Sequence, residues 1–264
     1  MMRITETVKH LIIINVILWA ATLALADRGI DLVQLFALHY PENDSFRFWQ
    51  PITSMFMHSV ASPMHILFNM LGLWMFGSSL EMRWGKIKFL SFYMITGVGA
   101  GLIHTLVNYY HFQTAQNLLF ESGLTVADVN QLFQLPYEEF VGQLNKQYFN
   151  GHFLENVQAI YDNGTSYYVP ALGASGALYG VLVAFGMLYP NMELMLLFLP
   201  IPIKAKYFIP LLLAYDFISG VAGSTGLFNG GNIAHFAHLG GALFGFLLMW
   251  YWNKTQFNKN RWDR

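Results

Sequence analysis

The sequence predicts an all-α polytopic membrane protein, and three observations carry that prediction. Hydrophobic residues make up 55% of the 264-residue chain and charged residues only 11%, against about 25% charged in a soluble domain. Mean hydropathy is +0.40. Six stretches are apolar and long enough to cross a bilayer, whose hydrocarbon core of about 30 Å needs roughly 20 residues of helix. A net charge of −1, from 14 basic and 15 acidic residues, excludes an electrostatic nucleic-acid binder. The absence of cysteine excludes disulfides, thiolate metal sites and a cysteine nucleophile.

The first span is expected at about residues 8–26, VKHLIIINVILWAATLALA. Arg3 and Lys9 give it a basic start, and Ala24-Leu25-Ala26 resembles a signal-peptide cleavage site. Its apolar run from Leu11 is long for a signal peptide and reaches across a bilayer. The second span is expected at 63–82, the third at 89–109, the fourth at 170–189, the fifth at 207–222 and the sixth at 232–252. Together they read as a single six-helix membrane domain over residues 1–264. Between helices three and four, residues 110–169 are too polar to cross. They form an acidic extramembrane insertion, with Glu121, Asp128, Glu138, Glu139, Glu155 and Asp162 against Lys146 alone. Thr125-Val-Ala-Asp128 reads as a capping-box helix start, and Pro136 to Phe149 has helical spacing.

Basic residues set the orientation. With the N-terminus inside, the inner segments hold Arg3, Lys9, Arg83, Lys86, Lys88, Lys204, Lys206, Lys254, Lys259, Arg261 and Arg264, while only Arg28, Arg47 and Lys146 lie outside. Both termini are therefore expected on the cytoplasmic side, the even-numbered helices run inward, and the insertion faces out. The compact form without an evident organelle presequence points to a bacterial inner membrane.

Polar groups inside a membrane are costly and mark function, so their depths are informative. Asn69 lies six residues into span two, Ser175 five into span four and His238 six into span six. At 1.5 Å per residue all three fall in one layer about 7–9 Å below the outer face. Span four carries Gly176-Ala-Leu-Tyr-Gly180 and span six Gly241-Ala-Leu-Phe-Gly245, the GxxxG pattern that lets helix backbones approach closely in lipid. Close approach is what a Ser175–His238 hydrogen bond requires, and it would make Ser175 a nucleophile with His238 as its base. Tyr179, one turn after Ser175, is placed to pack against the imidazole. Span five carries Asp216, which counts to mid-membrane, deeper than this layer, and reads as structural or gating. His10, His39, His104, His111 and His152 read as interfacial or solvated.

At these residues the sequence resembles the rhomboid family of intramembrane serine proteases. The nucleophile motif Gly-x-Ser-Gly stands here as Gly173-Ala174-Ser175-Gly176. The histidine motif Ala-His-x-x-Gly-x-x-x-Gly stands as Ala237-His238-Leu-Gly-Gly241-Ala-Leu-Phe-Gly245, and His-x-x-x-Asn as His65-Ile-Leu-Phe-Asn69. His58 resembles the upstream histidine of that region, and Glu81 and Arg83 an acid–base pair closing the second span. His235 offers a competing imidazole, but its register, Ala-His-x-x-His-x-x-x-Ala, does not fit.

The resemblance implies a Ser–His dyad without a catalytic carboxylate. Ser175 would be nucleophile and His238 general base, then acid, with His65 and Asn69 donating to the oxyanion beside the Ser175 backbone N–H. It implies no cofactor and no metal. The implied substrates are single-span transmembrane proteins entering from the lipid bilayer and cut near the outer face. Relatives lacking the serine or histidine act as binding adaptors, which makes an inactive adaptor the alternative function. A metal-dependent enzyme built on His235, His238, His58 and His65 lacks a His-Glu-x-x-His signature.

Overall fold

The computed structural model describes residues 3–196, 199–222 and 232–259. Arg261 and Arg264, counted above toward the inner side, lie outside the described residues. Helix α1 (Glu6–Ala26) is followed by the short α2 (Leu32–Phe36) and α3 (Gln50–Thr53), the latter continued by a 3₁₀ turn at Ser54–Phe56. Next comes one continuous rod: α4 (Pro63–Gly72), a π-helical turn (Leu73–Gly77) and α5 (Ser78–Trp84). Gly85, at φ +81°, ends it in a conformation that glycine adopts without strain.

Helix α6 (Lys86–Glu121) is a single 36-residue element. The insertion contains α7 (Val126–Gln134), α8 (Tyr137–Lys146), the hairpin β1 (Tyr148–Phe149) and β2 (His152–Phe153), and α9 (Val157–Tyr168). Helix α10 (Ser175–Leu188) leads through the antiparallel hairpin β3 (Glu193–Leu196) and β4 (Leu199–Lys204) to α11 (Ala205–Ala222) and α12 (Asn232–Lys259).

Helices α6, α10 and α12 pack on one another at the centre. Their shared core includes Phe89, Phe92, Tyr93, Val181, Phe185 and Met249, and it takes in Val8 and Leu11 of α1. A second apolar core lies in the insertion, where Phe112, Ala115 and Leu119 of α6 meet Phe133, Phe140, Leu144 and Ile160.

The N-terminus of α1 is held by Glu81, whose carboxylate accepts hydrogen bonds from Thr7 N (3.0 Å), Val8 N (3.0 Å) and Thr5 Oγ1 (2.5 Å). An anion satisfies the unpaired first-turn amides and opposes the helix dipole, so α1 is an integral part of the bundle. Glu81 thus serves α1 rather than its neighbour Arg83, which is exposed.

The structure corrects several boundaries. The third helix does not stop at Tyr109 but runs to Glu121. At about 54 Å it exceeds a hydrocarbon core by roughly 24 Å, and that excess is the part buried in the insertion core. The capping box at Thr125 is present: Thr125 Oγ1 and Asp128 N are 3.3 Å apart, and Asp128 accepts from Thr125 N at 2.9 Å. These bonds, with the Asn150 amide, hold the Asp128 carboxyl down at about 2. Helical spacing from Pro136 to Phe149 yields helix only to Lys146, because Gln147 turns left-handed at φ 55°.

The purely α reading also missed both hairpins. The fourth helix begins at Ser175, not Pro170, because Gly173 sits at φ +130° and Leu38 pairs with Ala171 as an antiparallel bridge, holding the approach extended. Among the described residues, only α1 and α6 meet a length-and-hydropathy test for a lone membrane span, with α10 a shorter apolar helix.

Candidate active site

Ser175 is the first residue of α10, and the turn before it is built by glycine. Gly173 lies in a region of φ that a side chain would strain, and its N–H donates to Ser54 O at 3.0 Å. A Cβ on Gly173 would meet His65 Nε2 at 2.9 Å and Ser175 Oγ at 3.6 Å, so both side chains flank this turn. As the first residue of a helix, Ser175 has a backbone N–H without an intrahelical acceptor.

His238 reaches Ser175 from α12. Its Nε2 lies 2.9 Å from Ser175 Oγ, hydrogen-bonding distance for a nucleophile and its base. Tyr179 stacks on the imidazole with ring centroids 4.3 Å apart and planes 9° from parallel. Glycine makes this contact possible. A Cβ on Gly241 would overlap the Gly176 carbonyl oxygen, and one on Gly245 would lie 2.7 Å from Gly180 Cα. The two GxxxG stripes therefore face each other with almost no space between backbones.

The candidates on the α4–α5 rod and in the loop before it fall differently. His58 is fully buried, its ring 5.0 Å from that of His65. Asn69 is buried one turn beyond His65, and its amide donates to the His65 carbonyl at 2.9 Å. A primary amide has a second N–H, so this bond leaves one donor.

Asp216 requires a correction. Rather than lying deeper than the Ser–His layer, its Oδ1 is 3.3 Å from His238 Nδ1 and 2.5 Å from His235 Nδ1. Asp216 lies six residues from the Ala222 end of α11, as His238 does from Asn232 at the start of α12, so each sits about 9 Å from these neighbouring helix ends. His235 and His238, three apart on one helix face, were the signal that a partner was wanted there.

Ser175 and His238 open into a cavity of about 680 Å³. Its lining includes Gly97, His104 and Ala237 from the bundle and His111, Tyr137, Tyr161 and Asp162 from the α6 extension and the insertion. His104 and His111, expected to be interfacial, thus border the candidate site. His111 Nδ1 lies 2.6 Å from Asn163 Oδ1. The Tyr137 and Tyr161 hydroxyls are 3.1 Å apart, and that contact pushes the Tyr137 phenol up to about 12. Sequence reading set the insertion apart from the site because these residues follow no motif.

The description "Rhomboid domain" fits a family model matching residues 45–119 and 142–255. The chain belongs to the rhomboid family. Rhomboid proteins are integral membrane proteins, and this chain's helical bundle fits that class. Among curated rhomboids it is 28% identical to the mitochondrial rhomboid protein 1 of Saccharomyces cerevisiae, over 72% of this chain and 38% of that protein. It is 32% identical to the rhomboid protease AarA of Providencia stuartii, over 34% of this chain and 32% of that one. With the rhomboid protease GlpG of Haemophilus influenzae it shares 29% identity, over 28% of this chain and 38% of that one. The matched segments thus span about a third of the length of each relative. The family includes intramembrane serine proteases as well as inactive members. Residues 120–141 alone fall between the two matched stretches, so the second half of the insertion lies within the rhomboid match.

Proposed function

We propose that this rhomboid is an intramembrane serine endopeptidase that cuts single-span membrane proteins near the outer face. The observation that carries the reading is the 2.9 Å contact between His238 Nε2 and Ser175 Oγ. Ser175 Oγ attacks the scissile carbonyl as its proton passes to His238 Nε2. The tetrahedral oxyanion forms beside the Ser175 N–H, His65 and Asn69, and collapses as His238 returns the proton to the leaving amide nitrogen. Water then hydrolyses the acyl ester by the same base. The six-span arrangement, both termini inside and residence in a bacterial inner membrane belong to this proposal, the first two resting on the hydropathy and basic-residue patterns.

The test is incubation of the detergent-solubilised protein with a fluorophosphonate probe, and of the reconstituted protein with a single-span substrate. Covalent labelling and a cut mapped by mass spectrometry near the outer face are expected. A folded protein that neither labels nor cuts overturns the reading in favour of the inactive adaptor.

Two substitutions grade the supporting groups. Asn69→Ala is expected to slow turnover by about 10²-fold without abolishing it, the usual cost of one oxyanion donor. Steady-state kinetics on a soluble peptide measure it. Asp216 is proposed as a positioning residue, fixing the Nδ1–H tautomer of His238 so that Nε2 keeps its lone pair for Ser175. Because Oδ1 is also taken up by His235, its hold on His238 is weaker than a dedicated pair. Asp216→Asn is expected to lower kcat by about 10–100-fold with KM unchanged, a split that a merely structural defect would not give.

A further inference from the structure

We propose that Asp216, His235 and His238 form an inhibitory site for a divalent cation, with Zn²⁺ the best fit. The catalytic reading uses one nitrogen of one imidazole against this carboxylate, which leaves His235 unexplained. Among the described residues these three present ligand atoms that all lie within 4.8 Å of one another. Both imidazoles aim Nδ1 at the same carboxylate oxygen of the buried Asp216, at 2.5 and 3.3 Å.

Two neutral imidazoles and a carboxylate are the donor set of zinc sites with three protein ligands and one open position. Zinc bonds of about 2.0–2.1 Å call for ligand atoms roughly 3.3 Å apart; the His238–Asp216 pair already stands at 3.3 Å, the His235–Asp216 pair must widen from 2.5 Å, and the widest separation, within 4.8 Å, must close. The two histidines lie three residues apart on α12 and the carboxylate comes from α11, so the geometry comes from two packed helices rather than a loop. Of the three ligands His238 lines the cavity, with Ala234 and Ala237 beside it.

Occupancy would switch the dyad off by a proton-balanced route. Two Zn–N bonds and one Zn–O bond form while water ligands leave the ion. Each imidazole proton moves from Nδ1 to Nε2, and none is released. His238 then presents an Nε2–H to Ser175 Oγ and has no lone pair with which to take the serine proton. The nucleophile stays a neutral hydroxyl. This inhibitory consequence rests on the proposed Ser175–His238 dyad, whereas the metal site itself does not.

The experiment separates the two. Co²⁺ is added to the detergent-solubilised Ser175→Ala protein, and the visible absorption of tetrahedral Co²⁺ is recorded, followed by competition with Zn²⁺. The band is expected in Ser175→Ala and is expected to vanish when His235→Ala or His235→Asn is added, with circular dichroism confirming the fold. A folded Ser175→Ala protein without the band overturns the site, as does a band that survives both His235 changes.

In parallel, fluorophosphonate labelling of wild type is measured with and without Zn²⁺. It is expected to fall at least tenfold and to return with EDTA. The ratio of labelling with and without metal, which cancels any change in basal rate, is expected to need at least about tenfold more Zn²⁺ in His235→Ala. Labelling indifferent to bound zinc overturns the inhibition. A wild type that never labels overturns the protease reading instead, and the cobalt band still decides the site.

Discussion

Ser175→Ala and His238→Ala are each expected to lower peptide turnover by about 10⁴–10⁶-fold, to the level of background, while the protein keeps its fold. The size follows from the way a nucleophile and its base act as one unit, so that losing either costs nearly as much as losing both. Neither change should unfold the bundle. Ser175 and His238 are half-buried at a cavity wall, and the space they leave opens to that cavity. The check is single-turnover cleavage together with thermal unfolding of each variant. Equal losses in the two single mutants and in the double mutant are expected. Independent, additive losses would mean that the serine and histidine do not act on the same proton.

Gly241→Ala is expected to be as damaging to activity as loss of the serine, although Gly241 touches neither reacting group. The added methyl would occupy the position of the Gly176 carbonyl oxygen on the facing helix. Backbone on both sides cannot rotate away, so α10 and α12 must separate or unwind. Overpacking usually costs about 1–3 kcal/mol and occasionally more. A clash between two backbones belongs at the upper end, against a total stability of about 5–15 kcal/mol. Separation also opens the Ser175–His238 contact, so unfolding temperature and probe labelling should fall together. Gly142→Ala in α8 is the matched control, since nothing lies within 4 Å of the position its Cβ would take. There the change should stabilise the helix by roughly 0.5–1 kcal/mol. Retained labelling in Gly241→Ala would show that the close approach is dispensable.

Much of this arrangement was legible in the sequence because glycine leaves local marks. Gly173, Gly176, Gly241 and Gly245 declare where backbones must bend or touch, whereas the depth count for Ser175 started from residue 170, five residues before its helix begins. Tyr179 followed from helical spacing alone. What was not legible depended on where helices start and stop. Asp216 was misplaced because its depth was counted from the other end of α11. The start of α10 was misplaced by five residues because a proline at 170 is compatible with a first helical turn, whereas the pairing of Leu38 with Ala171 is a long-range contact with no local signature. The border formed by Tyr137, Tyr161 and Asp162 is likewise set by tertiary docking of the insertion on the extended α6, which no motif announces.

The hold of Glu81 on the first helix sets an order of events during synthesis. Thr5, Thr7 and Val8 leave the ribosome more than seventy residues before the carboxylate that receives their hydrogen bonds. The first helix can form early, but its leading amides have no carboxylate to bond until the α4–α5 rod is made. The nascent chain therefore passes through a stage in which its oldest helix is formed but not yet fastened, and the end of that rod is the latch.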